Sequence, residues 1–424
     1  MLFCNIDLLD EKFETKRNQY VGVKDGRIAY IGASAPEEDF GERYDGRHRL
    51  LMPAFYNVHS HAPMTLLRGY AENLPLQRWL GEKVFPFEDQ IDDEAAYYGT
   101  LLAISEMLAS GTASFSDMYF FFGGMVPAIL ESGIKCNLSR GLTVFDDSDY
   151  TDLPAYRDNV RLRGEWNGAN NGRLIGDLCI HGEYTSNPKI VEAVAQHARE
   201  TGARIQIHLS ETQTEHEECK GRHGLTPAAY MEKHGIFDSP TTAAHCVWLE
   251  DEDFDILKRH GVTVACCPAS NLKLASGYAN VPKMLESGIN VALGTDGAAS
   301  NNNLNIMQDM YLFGVVYKGY FRDPTIITPA EVLHAATRAG ALSQGRDDSG
   351  LLAVGMRVLN TDTPQFTPMT SAACNVVYAA QGADIRMTMV DGEVLYRDGE
   401  FKTIDIEKVK AEVQRRTDSI LSRL

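Results

Sequence analysis

Among the eight cysteines of this 424-residue chain (Cys4, Cys136, Cys179, Cys219, Cys246, Cys266, Cys267 and Cys374) there is no Cys-x-x-Cys pair, which argues against a thiolate zinc site. Most of them sit in apolar, strand-like runs, as reduced, buried thiols of a reducing compartment do. Low-complexity tracts and long blocks of like charge are also missing, which excludes a disordered or tail-like protein. Nowhere do about 18 apolar residues run together, and "MLFCNIDLLDEKFETK" lacks a basic stretch followed by a long apolar one, so a cytoplasmic protein away from the membrane is expected. Basic residues are in short supply: 40 Lys and Arg against 58 Asp and Glu give a net charge of -18. That balance repels nucleic-acid backbones and anionic membranes and leaves a small molecule as the expected partner. A homo-oligomer is left open.

Hydrophobic residues make up 44% and charged residues 23%, ordinary values for a globular chain, and the length suits several small domains or one large α/β barrel with an attachment. From residue 52 onward, strand-like runs alternate with helix-length segments. The strand candidates are "LMPAFYNVHSH", "TASFSDM", "IKCNLSR", "LIGDLCIHG", "RIQIHLSE", "TTAAHCV", "VTVACCP" and "INVALGTDG". Between them lie periodic stretches such as "AAYYGTLLAISEMLASG" and "NPKIVEAVAQHARETG", the second opening on Asn-Pro and ending at Gly202. Eight strand-helix units predict a (β/α)8 TIM barrel over residues 54–345. The flanks, 1–53 and 346–402, are hairpin-like, with Lys-Asp-Gly and Val-Asp-Gly turns, and predict a small β-sandwich domain formed from both chain ends. Residues 403–424 predict a C-terminal helix.

Active sites of such barrels lie at the C-terminal ends of the strands, and five of the 12 histidines fall there. His59 and His61 follow the first strand, His181 the fourth, His208 lies on the fifth and His245 on the sixth; Asp296 joins them on the eighth, in "LGTDG". A His-x-His arises by chance in a chain with this many histidines with odds of roughly one in three, so the pair alone decides little. Its period of two does place both rings on one side of a strand, and the coincidence with the other strand-end residues favours ligands over a merely polar strand end. His59, His61, His208 and Asp296 can together supply imidazole nitrogen and carboxylate oxygen to one divalent ion, Zn²⁺ first, with Fe or Mn as alternatives, and an open position for water. Glu211, three residues beyond His208 in "HLSE", is placed to handle protons, against the alternative of a solvated carboxylate. His245 can hold or deprotonate the water. His181 is either a substrate contact or a core or loop histidine. The remaining histidines from 197 onward (His197, His216, His223, His234, His260 and His334) read as surface or packing residues. Trp79 and "YFFF" at 119–122 read as core packing rather than substrate stacking.

The segments "NVHSHAPMTLLRGYAENLPLQRWL", "HLSET", "AHCVWL", "CCPASNLKLASG" and "ALGTDGAASNNNLNIMQDM" resemble the amidohydrolase superfamily in its branch of metal-dependent aminohydrolases, and look most like 5'-methylthioadenosine/S-adenosylhomocysteine deaminases. The resemblance covers nearly the whole chain. It implies metal ligands at His59, His61, His208 and Asp296, and proton-handling groups at Glu211, His245 and Asp296. Glu211 and Asp296 then also face the substrate. By the resemblance alone, Glu88 in "FPFED" matches a ribose-binding carboxylate, His181 a purine-side histidine, and Arg140 an arginine after the third strand. Without it, Glu88 reads as a solvated helix-start charge.

Three departures from the family pattern stand out. After His181 the chain reads "HGEYTS", where relatives often have Ala-Pro before the tyrosine. A second arginine for an amino-acid carboxylate has no clean counterpart, since Arg157 in "AYRDN" is offset. "VGMRVLNTDTP" is shorter than the usual strand there. The expected activity is hydrolytic deamination of adenine-type nucleosides, with small 5' groups used at least as well as S-adenosylhomocysteine. One rival is an aminohydrolase or chlorohydrolase of another heterocycle (guanine, cytosine, a pterin or a triazine). A second is a non-catalytic barrel scaffold, against which the intact ligand set with Glu211 argues. Nucleic-acid deamination by the other zinc deaminase class is disfavoured by the acidic charge and by the absence of that class's Pro-Cys-x-x-Cys element.

Overall fold

Two tight turns organise the chain ends. Asp25-Gly26 joins strands Thr15–Lys24 and Arg27–Gly32, and Asp391-Gly392 joins Ile385–Val390 and Glu393–Arg397. All four turn residues have positive φ (51°, 76°, 49° and 78°), the backbone of two-residue hairpins whose twist matches the strands. The computed structural model describes residues 1–346 and 355–424. Within these, the terminal segments join in one nine-stranded sheet. Its order is Glu400–Phe401, Glu393–Arg397, Ile385–Val390, Gly355–Asn360, Arg49–Pro53, Leu2–Leu9, Thr15–Lys24 and Arg27–Gly32, with Arg43–Asp45 pairing alongside Leu2–Leu9. The strands expected to form the terminal β domain are thus joined along one hydrogen-bonded path. The sheet carries its own apolar core of Phe3, Ile6, Leu8, Val21, Leu51, Val358 and Met387 among others. The two chain ends meet where Gly355–Asn360 runs antiparallel to Arg49–Pro53, Leu359 opposite Leu50. The short segment "VGMRVLNTDTP" begins at Val354, outside the described residues, and is a strand from Gly355.

The eight strand candidates all form parallel strands. Phe55–Ser60, Thr112–Tyr119, Lys135–Arg140 and Leu174–Gly176 make one four-stranded sheet; Leu178–Ile180, Ile205–Leu209, Thr241–His245, Thr263–Cys266 and Val291–Leu293 make a five-stranded one. Two predicted strands are divided. "LMPAFYNVHSH" breaks at Ala54, its first half serving the terminal sheet and its second half the parallel one. "LIGDLCIHG" breaks at Asp177, whose buried carboxylate accepts from Asn137 Nδ2 (3.1 Å) and Gln206 Nε2 (3.1 Å) while its N–H donates to Leu138 O (2.8 Å). At this point the backbone changes partner, since Asp177 N–H still bonds the four-stranded sheet while Leu178 N–H donates to Arg204 O (2.9 Å) at the start of the five-stranded one. At the other margin, Asp296 N–H donates to His59 O (2.9 Å) and Thr295 N–H to Asn57 Oδ1 (3.0 Å), tying the last parallel strand to the first.

Helices cover these strands. Asp93–Ala109 is capped by Asp92, which accepts from Ala95 N–H, and Pro188–Thr201 is capped by Asn187 and ended by Gly202 at φ 64°. Ile406–Leu421 is the expected C-terminal helix and buries Val409, Val413 and Ile420 against the core that includes Leu101 and Ile104. Seven of the cysteines are buried and Cys374 is half-buried, all free thiols. Among the described residues no helix is long and apolar enough to cross a membrane.

Candidate active site

Every strand-end residue expected to act lies at the C-terminal ends of the parallel strands. His59 is the fifth residue of Phe55–Ser60, His61 follows it directly, His208 lies in Ile205–Leu209, and His245 ends Thr241–His245. His181 is one residue beyond Leu178–Ile180, and Asp296 lies three beyond Val291–Leu293 rather than on that strand. Their side chains converge. His61 Nε2 is 3.2 Å and His59 Nε2 3.6 Å from Asp296 Oδ1, while His61 Nε2 and His208 Nε2 stand 3.4 Å apart. Ligand atoms of His59, His61 and Asp296, and likewise of His59, His208 and His245, lie within 4.8 Å of one another. All five groups are buried.

The backbone is bent to bring them there. Ser210, His245, Cys246 and Asp296 all have positive φ (49°, 72°, 47° and 62°), a costly conformation for residues with a Cβ and one that clusters at functional sites.

Outer contacts set the imidazole tautomers. His61 Nδ1 is 2.7 Å from Met118 O and His208 Nδ1 2.7 Å from His181 O; a carbonyl only accepts, so each Nδ1 carries the hydrogen and each Nε2 presents a lone pair. Two lone pairs and a carboxylate oxygen then face one point, with the buried His59 Nε2 beside them lacking any hydrogen-bond partner. A divalent cation satisfies all of these donors at once. Protonation follows the same logic. Burial pulls His59 and His208 well below the usual imidazole range. His61 feels the same burial, but the hydrogen bond and charge of Asp296 outweigh it and raise its pKa to about 9. Asp296, against the upward pull of burial, is held well below the usual carboxylate range by the facing histidines. Until an ion binds, His61 Nε2 thus holds a proton against Asp296; a divalent ion binding the same donors takes the place of that proton and leaves the Nε2 lone pair free to coordinate.

Asp296 is fixed by Ser270 Oγ (2.6 Å) and Ser300 Oγ (2.9 Å), which donate to its Oδ2, and by Gly297 N–H at its Oδ1. Glu211 faces His245, Oε2 to Nε2 at 3.9 Å, and burial raises its pKa. Its backbone is held by Glu215, which accepts from Ser210 N–H (2.8 Å) and Glu211 N–H (2.7 Å). Asp117 accepts from Ser60 Oγ (2.8 Å) and Ala62 N–H (2.7 Å), holding the Ser60 side chain on one side of His61 and the Ala62 backbone on the other. Sequence reading passed over Glu215, Asp117, Ser270 and Ser300. Asp117 carried a usable signal, since it lies near the C-terminal end of the strand in "TASFSDM".

Above the polar centre is a pocket whose far wall is apolar, with Leu76, Trp79, Val84, Phe85, Met118 and Phe120. Trp79 and Phe120, read as core packing, therefore line the cavity as well as packing in it. Glu88 is buried in this wall, not solvated: Tyr119 Oη donates to its Oε1 at 2.6 Å, and burial raises its pKa to about 7. His181 lines the pocket beside Tyr184, its pKa lowered to about 4 by burial, with Thr185 Oγ1 at 3.1 Å from Nδ1. Arg140 does not join them. Its Nε donates to Asp158 (3.0 Å), its Nη1 to Gly141 O (2.7 Å), and its guanidinium lies over the Phe120 ring. Arg157 is exposed and outside the pocket lining.

Residues 50–395 match the family model described as "Amidohydrolase family". The chain belongs to the amidohydrolase family. Among proteins similar to this amidohydrolase, one from Syntrophomonas wolfei named 5-methylthioadenosine/S-adenosylhomocysteine deaminase is 40% identical over 412 residues, 95% of either chain. One from Methanothermobacter thermautotrophicus named 5'-deoxyadenosine deaminase is 38% identical over 393 residues, 92% of either chain. The crystal structure of an adenosine deaminase from Xanthomonas campestris with bound zinc superposes with a TM-score of 0.92 at 26% identity, covering 99% of this chain and 98% of that one.

Proposed function

We propose that this amidohydrolase is a metal-dependent hydrolytic deaminase of adenine-type nucleosides (adenosine, 5'-deoxyadenosine, 5'-methylthioadenosine and S-adenosylhomocysteine as a class) that releases ammonia and the inosine-type product. The observation that carries this reading is the convergence of the His61 and His208 Nε2 lone pairs, His59 and Asp296 Oδ1 beside Glu211 and His245, under a pocket wall that buries Glu88. The names of the similar proteins supply the substrate class. We read the four- and five-stranded parallel sheets as two arcs of one (β/α)8 barrel over 54–345, and the terminal sheet (1–53 and 346–402) as a small β-sandwich domain, with 403–424 a separate helix.

In this reading His59, His61, His208 and Asp296 hold one divalent ion per chain, most simply Zn²⁺, with Fe or Mn as alternatives. A bound divalent ion supplies a water acidic enough to ionise near neutral pH. The chain's own groups do the rest. His245 donates Nδ1–H to Asn271 Oδ1 (2.8 Å), so its Nε2 lone pair faces the site and, with Asp296, would take the proton of the attacking water and pass it to the departing amino group, which leaves as ammonia. Glu211, whose pKa is raised by burial, gives a proton to the ring nitrogen beside C6, and charge developing on the ring is met by Glu211 and His245. His181 faces the base and Glu88 the ribose hydroxyls, while the apolar wall suits a small 5' group. Arg140, engaged by Asp158, has no partner at hand for a second carboxylate, so small 5' substituents should be used at least as well as S-adenosylhomocysteine. Ammonia release across adenosine, 5'-methylthioadenosine, S-adenosylhomocysteine, guanine, cytosine and a triazine tests the reading. Turnover confined to guanine, cytosine or the triazine would replace the substrate class, and no turnover of any would favour the scaffold.

A further inference from the structure

Helix Gln213–His223 holds the pocket at both of its ends. Near its N-terminus Glu215 accepts the backbone N–H groups of Ser210 and Glu211. At its C-terminus Arg222 and His223 converge on one carboxylate, that of Glu183: Arg222 Nη2 donates to Oε2 at 2.5 Å, Arg222 Nε to Oε1 at 3.2 Å, and His223 Nε2 lies 2.8 Å from Oε1. The Glu183 side chain is 3% exposed, whereas Arg222 and His223 are 39% and 27% exposed, so an inward carboxylate is gripped by groups reaching in from the surface. Arg222 is also paired outward with Glu218 (3.1 Å), and the His223 ring packs 4.4 Å from Tyr230.

Glu183 itself does not reach the pocket. Its neighbours do, because it opens the one-turn helix Glu183–Thr185 that follows His181 and Gly182, and both His181 and Tyr184 line the cavity. Within this turn Thr185 Oγ1 donates to Gly182 O (3.3 Å) and meets His181 Nδ1, and the Tyr184 ring stands edge-on to His181 at 5.8 Å. One short turn cannot fix two side chains by itself, since its few internal bonds barely offset the freedom they remove. The bidentate carboxylate contact adds charge-assisted, geometrically specific bonds at the residue between them.

We propose that Glu183 is a positioning residue, clasped by Arg222 and His223, that sets the His181–Tyr184 wall in register with Glu211 through helix Gln213–His223. The inference rests on the reading above that this wall meets the heterocycle of the substrate. Misplacing such a wall by a fraction of an ångström should weaken substrate binding while the groups around Asp296 remain intact.

The test compares wild type, Glu183→Gln, Arg222→Met and the double variant by metal content, thermal melting and steady-state kinetics on 5'-methylthioadenosine. Arg222 lies at the surface, so Arg222→Met keeps the test open where Glu183→Gln loses the fold. Each single variant should retain one metal per chain and raise KM about 10-fold with kcat within about threefold, and the double variant should be no worse than the poorer single one. An unchanged KM in metal-loaded Arg222→Met would overturn the proposal. So would additive losses, or a fall in kcat alone that tracks the fraction of folded protein. If wild type deaminates a different heterocycle, the same variants are read on that substrate, so failure of the adenine reading and failure of the clasp fall on separate measurements.

Discussion

The nine-stranded terminal sheet and the polar centre at the parallel strand ends are both buried, yet they obey opposite rules. In the sheet, apolar side chains such as Phe3, Leu51 and Met387 fill the interior, and the hairpins use the backbone that Asp-Gly prefers. In the centre, four histidines and two carboxylates are brought within a few ångströms, and His245 and Asp296 take left-handed backbone. Local preference and fold agree in the first region and conflict in the second, which is the pattern expected where stability is given up for chemistry. Arg357 departs from the rule of the sheet. Arg357 is wholly buried, its guanidinium lies over the Phe55 ring, and its Nε and Nη1 find no hydrogen-bond partner. Burial drives its pKa well below the usual arginine range.

Substitutions in the two regions should therefore move different observables. The largest effect belongs to Glu211→Gln: about 10²- to 10⁴-fold lower turnover of an adenine nucleoside with metal content unchanged, because the amide keeps the shape and cannot pass a proton. Near-normal rates would remove Glu211 as the proton carrier. Next is a pH effect on stability. Glu88 has a folded pKa of about 7 against an ordinary 4.5, so between these values the folded state holds a proton that the unfolded state has lost. Wild-type stability must then fall as pH rises from 4.5 to 7. Glu88→Gln should lack this loss, its melting point gaining on wild type across that window by the equivalent of up to about 3 kcal/mol. Parallel melting curves for the two proteins would show that Glu88 ionises freely.

A slightly smaller effect separates nucleosides from free bases. Glu88→Ala should lower kcat/KM for nucleosides by about 10- to 100-fold, the equivalent of roughly 1.5 to 3 kcal/mol, with free adenine little affected. An unchanged nucleoside rate would remove the ribose contact. Smallest is Arg357→Leu, which should raise the melting free energy by about 1 to 2 kcal/mol and leave kcat alone, since it exchanges a buried, half-satisfied cation for an aliphatic side chain. A loss of stability would mean that the ring contact outweighs the missing hydrogen bonds.

How far the sequence carried differs between the regions for the same physical reason. The convergence of His59, His61, His208 and His245 at the strand ends was legible because strand period and strand end together dictate where a side chain points, whereas Asp296 was expected on its strand and lies three residues beyond it. The paired Asp-Gly turns were legible because two-residue hairpins need them. Glu88 was not legible from local pattern, since its burial depends on Tyr119, which is 31 residues away in the chain. The pairing of Arg140 with Asp158 and the break at Asp177 likewise depend on partners that only the folded chain assembles.

The central claim is that His59, His61, His208 and Asp296 hold a single divalent ion. Elemental analysis of purified wild type and His208→Ala, each stripped with chelator and reloaded with Zn²⁺, tests it most directly. One ion per chain in wild type, with ammonia release lost on stripping and restored on reloading, and little bound ion in His208→Ala, is the predicted result. Two tightly held ions per chain, or full activity in metal-free protein, would contradict it.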